Sequence, residues 1–119
     1  MPRVPHHREQ RDGNEQIIVD VYLSAGASVT RLFKSRPAGV TDLAVGYLGL
    51  NLLVEVKDPT AARGPAQARK LTPDQVVWHR DWRGQKAVVT GTAEALATLS
   101  WVQRAAAALA AAGCAWESA

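Results

Sequence analysis

A single cysteine, Cys114, excludes an intramolecular disulfide and a cysteine-based metal cluster, and suits a reducing compartment. Long apolar runs are missing too. The N-terminus is polar and basic, unlike a secretory leader, and the Ala105–Ala112 stretch is too short and too weakly apolar to span a bilayer. A soluble, cytoplasmic chain without a membrane partner is therefore expected. Aromatic residues make up only 6% of the chain, although four of them are Trp. Acidic residues are the minority charge: 14 Lys and Arg against 11 Asp and Glu leave a net +3 and a pI near 9.4. That mild excess is compatible with a polyanionic partner. What is abundant is apolar, 47% of 119 residues, which is enough for one core and one domain.

Residues 1–13 carry three Arg, two His and two Pro with no apolar period, and are expected to form a flexible basic arm. The pair His6-His7 reads as exposed rather than metal-binding. Asn14 is placed as the N-cap of a first helix, with Glu15 in its first turn, Ile17, Ile18, Val21 and Tyr22 as its apolar stripe, and Gly26 at its end. Ala27–Phe33 alternates as a strand, and Lys34–Gly39 reads as a basic loop. Two strand-like runs follow, Asp42–Tyr47 and Leu50–Lys57, joined by a tight turn at Leu48-Gly49. Asp58–Lys70 is rich in Ala, Pro, Gly and Arg and is expected to be a mobile loop. Thr72-Pro73-Asp74-Gln75 has the form of a capping box with Pro at the first helical position, starting a helix that runs to about Trp82. Lys86–Thr90 reads as a short strand. Thr92 is placed as the cap of a last helix, striped by Ala95, Leu96, Leu99, Val102 and Leu109, which packs on the core or forms a dimer interface over residues 92–119. The element order α-β-β-β-α-β-α predicts an α/β fold with a mixed central sheet flanked by helices.

The chemistry is concentrated in the central hairpin. A symmetric turn at Leu48-Gly49 sets Asp42 opposite Glu55, on one face, with Cβ atoms roughly 5 Å apart. Glu55 and Lys57 share that face because side chains alternate along a strand. Leu43, Val45 and Tyr47 then lie beside Leu52, Val54 and Val56 on the other face. A one-residue slip would drive the charges into this apolar face, so the register is well specified. Two facing carboxylates repel and favour a cation between them, and hard oxygen ligands suit Mg²⁺, with Mn²⁺ expected to substitute. Such an ion activates water and neutralises charge on a phosphodiester, and Lys57 adds a fixed positive group beside it. The plainer alternative is an exposed surface ion pair of little consequence.

Taken in order, Gly39-Val40-Thr41-Asp42, Glu55-Val56-Lys57 and Leu71-Thr72-Pro73-Asp74-Gln75 resemble the PD-(D/E)xK nuclease superfamily. Within it they are most similar to VRR-type nucleases and Holliday-junction resolvases, including small phage-encoded relatives. The resemblance runs from Asn14 to about Thr90, with residues 14–91 as the nuclease core, and implies a restriction-endonuclease-like fold. Thr41 stands where the motif's name has Pro, a position the superfamily keeps loosely. The resemblance implies that Asp42, Glu55 and the Val56 carbonyl bind metal, that Lys57 positions water, that Glu15 approaches the metal, and that Gln75 supports the site. The implied reaction is hydrolysis of DNA leaving a 5′-phosphate, with branched or junction DNA as substrate and a homodimer as the form that cuts two strands. A non-catalytic nucleic-acid-binding module on the same fold is the alternative.

Lys34, Arg36, Arg63, Arg69 and Lys70 are candidate contacts to DNA phosphates, which hold the backbone without reading sequence. Trp78 and Trp82 read first as buried packing and second as stacking surfaces for bases. His79 reads as an ordinary surface histidine.

Overall fold

The computed structural model describes residues 6–32, 37–61 and 69–114. The element order is α1 (His6–Ser24), β1 (Ser28–Arg31), β2 (Leu43–Tyr47), β3 (Leu50–Val56), a 3-10 turn at Pro59–Ala61, α2 (Pro73–Asp81), β4 (Lys86–Val89) and α3 (Thr92–Ala111). The four strands form one mixed sheet in the order β1-β2-β3-β4. β1, β2 and β3 pair antiparallel, and β4 joins β3 in parallel after the crossover through α2.

The hairpin has the expected register, with Tyr47 against Leu50 and Leu43 against Val54. Both turn residues take positive φ, Leu48 at 53° and Gly49 at 80°, the backbone of a two-residue turn whose twist matches the strands. Glycine accepts that conformation freely. Leucine does not, so the turn at Leu48 is held by the strand pairing on either side.

Leu43, Val45, Leu52, Val54, Val56 and Val89 bury one face of the sheet, and Ile18, Val19 and Tyr22 of α1 with Ala95 and Leu99 of α3 cover it. The two helices meet over that face, where the Tyr22 hydroxyl and Thr98 Oγ1 lie 2.8 Å apart. By alternation Asp42, Glu55 and Lys57 occupy the opposite face.

Several expectations are corrected. α1 does not begin at Asn14: it extends back to His6, so 6–13 belong to the helix and Glu15 lies well inside it. Arg8, Glu9, Gln10 and Arg11 are good helix formers, and one interior glycine at 13 costs only about 1 kcal/mol. The stripe of α1 is rotated: Val19 is buried and Ile17 is exposed. β1 is shorter than Ala27–Phe33, and Phe33 lies outside the described residues. On α3 the cap is Gly91 rather than Thr92, without a side-chain bond, and Leu96 and Leu109 face outward. Glu94 instead accepts from the Thr90 amide at 2.6 Å and its hydroxyl at 2.8 Å, which ties the first turn to the end of β4.

Candidate active site

The edge of the sheet where β3 ends gathers the charged residues. Asp42 and Glu55 are buried, at 3% and 0% exposure. Such groups are costly to hide unless hydrogen-bonded or charge-compensated, and here they are. Asp42 Oδ2 accepts the Val56 amide at 2.7 Å. The Lys57 amide bonds the Val89 carbonyl on the β4 side at 2.9 Å, so the Val56 backbone groups turn the other way, toward Asp42. Glu55 Oε2 accepts from Gln75 Nε2 at 3.0 Å and lies 3.7 Å from Lys57 Nζ. Lys57 Nζ in turn donates to Gln75 Oε1 at 2.7 Å.

Gln75 thus spans the acid and the amine. Its Oε1 also accepts the Thr72 amide at 2.9 Å, while the Gln75 amide donates to Thr72 Oγ1 at 3.3 Å, completing the capping box. Capping and site support are one function of one carboxamide rather than alternatives. The helix start fixes the rotamer that reaches Glu55 and Lys57. Gly39 holds α2 close from the other side, since a Cβ there would sit 2.2 Å from the Asp74 carbonyl oxygen.

Glu15 carries an ion pair. Its carboxylate lies 3.5 Å from the Arg31 guanidinium, and among the described residues no three His, Cys, Asp or Glu side chains are grouped to hold a metal ion. The candidate donors are hard oxygens: the buried Asp42 and Glu55 carboxylates, placed on one sheet face by the hairpin register, and the Val56 carbonyl, whose amide already bonds Asp42. That set fits Mg²⁺ or Mn²⁺ better than a softer metal.

Of the basic residues, Lys34, Arg36 and Arg63 lie outside the described residues. Lys70 is exposed. Arg69 is engaged within the protein: its guanidinium pairs with Glu94 and donates to the Val88 carbonyl at 2.7 Å.

Asn14 is the residue whose role the sequence hid. Its Nδ2 donates to the Lys57 carbonyl at 2.8 Å, tying α1 to the backbone that carries the amine. The only sequence signal was a polar side chain on a helix otherwise closing onto the sheet, and it was absorbed by the capping assignment. Asn14→Ala is expected to cost about 1–2 kcal/mol of stability, because it leaves a part-buried carbonyl without this donor. Urea or thermal melts of the parent and the variant measure that loss, and equal stability would contradict the bond's role.

His79 is half-buried rather than an ordinary surface histidine, and its Nε2 is shut off from solvent without a hydrogen bond among the described residues. Burial first, then the positive charges of Lys86 and Lys57, hold its pKa below the ordinary value. A depressed folded pKa means that the unfolded chain binds the proton more readily. The associated stability is present above the unfolded value of about 6.5 and is lost as pH falls from there through the folded value. Melting curves at pH 7.5 and pH 5.5 should show a larger drop for the parent than for His79→Gln, and equal drops would contradict this account.

No family model matches the chain, and no curated protein matches it. A solved structure described as a VRR_NUC domain shares the fold, with a TM-score of 0.59 and 20% identity over 76% of this chain and 95% of that one. The mixed sheet flanked by helices is the restriction-endonuclease-like arrangement that the motif resemblance implied. No helix among the described residues is long and apolar enough to cross a membrane.

Proposed function

We propose that this chain is a metal-dependent nuclease that hydrolyses phosphodiester bonds of DNA at the Asp42–Glu55–Lys57 centre. One observation carries the reading: two buried acids and one amine converge on a single sheet face, with Gln75 bonded to both Glu55 and Lys57. The shared fold with a VRR_NUC domain supports it. A surface ion pair would need neither the burial nor the bridging carboxamide.

Asp42, Glu55 and the Val56 carbonyl would hold Mg²⁺, or Mn²⁺ in its place, with Glu15, whose carboxylate also pairs with Arg31, as a further ligand. The bound ion would supply charge neutralisation at the phosphate and a lowered pKa for coordinated water. Lys57, held by Gln75, is suited to orient the attacking water and to stabilise negative charge on the phosphate oxygens. Gln75 and Asn14 act through Lys57 and are positioning residues.

Branched or junction DNA is the proposed substrate and a homodimer the proposed acting form, since two strands at a junction require two centres. Lys70 and the basic residues at 34, 36 and 63 are the proposed phosphate contacts. Binding through them would weaken steeply with salt, by roughly one power of salt concentration per phosphate neutralised.

The test is incubation of the protein with plasmid and with a synthetic four-way junction, in Mg²⁺, in Mn²⁺ and in EDTA. Cleavage in either metal and none in EDTA supports the enzyme. DNA binding without cleavage of either substrate in either metal would leave the non-catalytic module as the correct reading.

A further inference from the structure

Helix α2 carries a feature that hydrolysis at Glu55 does not require. The indoles of Trp78 and Trp82 stack, with centroids 5.5 Å apart and planes 10° from parallel. They had been expected to pack in the core, but the buried cluster is built from α1, the sheet and α3 and contains neither. Trp82 is 43% exposed. Gly84 packs against its indole: a Cβ there would stand 2.7 Å from Trp82 Nε1, so a larger residue at 84 would push the ring aside. Lys86 Nζ donates to the Trp82 carbonyl, and the exposed Arg83 adjoins it in sequence. Trp82 thus presents an indole to solvent, backed by the partly buried Trp78 and edged by positive charge.

Its location gives it a use. Gln75 touches both Glu55 and Lys57, and α2 rises about 1.5 Å per residue, which carries Trp78 roughly 5 Å and Trp82 roughly 10 Å along the axis from Gln75. On a stacked strand, with about 3.4 Å between nucleotides, that span is two or three steps from the reacting phosphate.

We propose that the Trp78–Trp82 stack is a base-stacking subsite that receives an unpaired nucleobase of the strand held at the Asp42–Glu55–Lys57 centre. The inference rests on the nuclease reading and narrows it: the substrate class is DNA with unpaired nucleotides beside the cut, such as flaps, splayed ends or open branch points. Bases within continuous duplex already have both faces stacked, so only an unpaired base presents a face to an indole. Every base has such a face, so the subsite selects structure and not sequence. Arg83 and Lys86 are suited to the flanking phosphates. A second copy of the chain is the other candidate occupant, and light scattering in the experiment below separates it from DNA.

The experiment measures equilibrium binding in Mg²⁺ by fluorescence anisotropy, on the full chain carrying Glu55→Gln so that no cutting intervenes. The probes are a duplex with a single-stranded flap and a blunt duplex of the same length. Trp82→Ala should weaken flap binding about tenfold, the loss expected for one stacked base, and change blunt-duplex binding by less than about twofold. Trp82→Phe should restore most of the flap affinity. Trp101→Ala, which removes another exposed indole on α3, should change neither. The fluorescent base 2-aminopurine, set at the second or third flap nucleotide, should be quenched by the protein bearing Trp82 and not by Trp82→Ala. Equal loss on both probes, no loss on the flap, or a change of oligomeric state in light scattering on Trp82→Ala overturns the subsite. If the parent cleaves DNA while Trp82→Ala binds the flap normally, the subsite fails and the nuclease stands. If the parent neither binds nor cleaves either probe, both fall together.

Discussion

Glu55→Gln is expected to reduce DNA cleavage by about a hundred- to a thousandfold, the scale seen when one preorganised electrostatic partner is removed from a reacting centre. The substitution keeps the shape and the capacity to accept from Gln75 Nε2, so the 3.0 Å contact has a replacement. It removes the negative charge that lies 3.7 Å from Lys57 and, with it, the second carboxylate of the proposed metal site beside Asp42. Lys57 keeps its bond to Gln75 Oε1, so the fold survives. Melting with and without Mg²⁺ separates lost chemistry from lost structure. The parent should gain thermal stability in Mg²⁺, by about 2.7 kcal/mol when the ion is a hundredfold above its dissociation constant. The Glu55→Gln protein should gain little. A parent-like rate in the variant, or the same Mg²⁺-induced shift in both, would falsify the assignment of Glu55 to the metal.

The second large effect is expected at a residue that touches no substrate. Gly39 has φ +83°, and a Cβ there would meet the Asp74 carbonyl oxygen at 2.2 Å, its carbon at 2.5 Å and the Gln75 amide nitrogen at 2.9 Å. These are backbone atoms of the first turn of α2, and they cannot rotate aside as a side chain would. Gly39→Ala must separate the loop before Asp42 from that turn, besides forcing alanine into the left-handed region. A destabilisation on the order of 2–3 kcal/mol follows, or roughly a 10 °C fall in Tm for a domain of this size. Gln75 moves with the turn, so cleavage should fall as well, and it should not be restored by excess Mg²⁺. Gly13→Ala provides the opposite case. Gly13 lies inside α1 with nothing within 4 Å of its Cβ position, so alanine should stabilise by about 0.5–1 kcal/mol. If both substitutions shift Tm the same way, the close approach of loop and helix is not the constraint described.

Much of the candidate site is legible in the chain because its decisive contacts are local or periodic. The pairing of Asp42 with Glu55 and the sharing of a face by Glu55 and Lys57 follow from a two-residue turn and a period of two. The buried partners Leu43, Val45, Leu52 and Val54 leave no other register with an apolar core. The capping box at Thr72 and Gln75 spans three residues and depends on little beyond the helix start itself.

What the sequence alone determined is therefore the hairpin, its register and the acid, acid and amine on one face, since each is set by steric rules acting within a few residues or across one turn. The tertiary structure decided the rest. It turned Asn14 from a helix cap into a donor to the Lys57 carbonyl, 43 positions away. It left Trp78 and Trp82 outside the core, and it brought Gly39 against the start of α2. A helical stripe shows which residues share a face but not which face meets the sheet. Contacts between distant segments depend on how whole elements pack, and no local pattern encodes that.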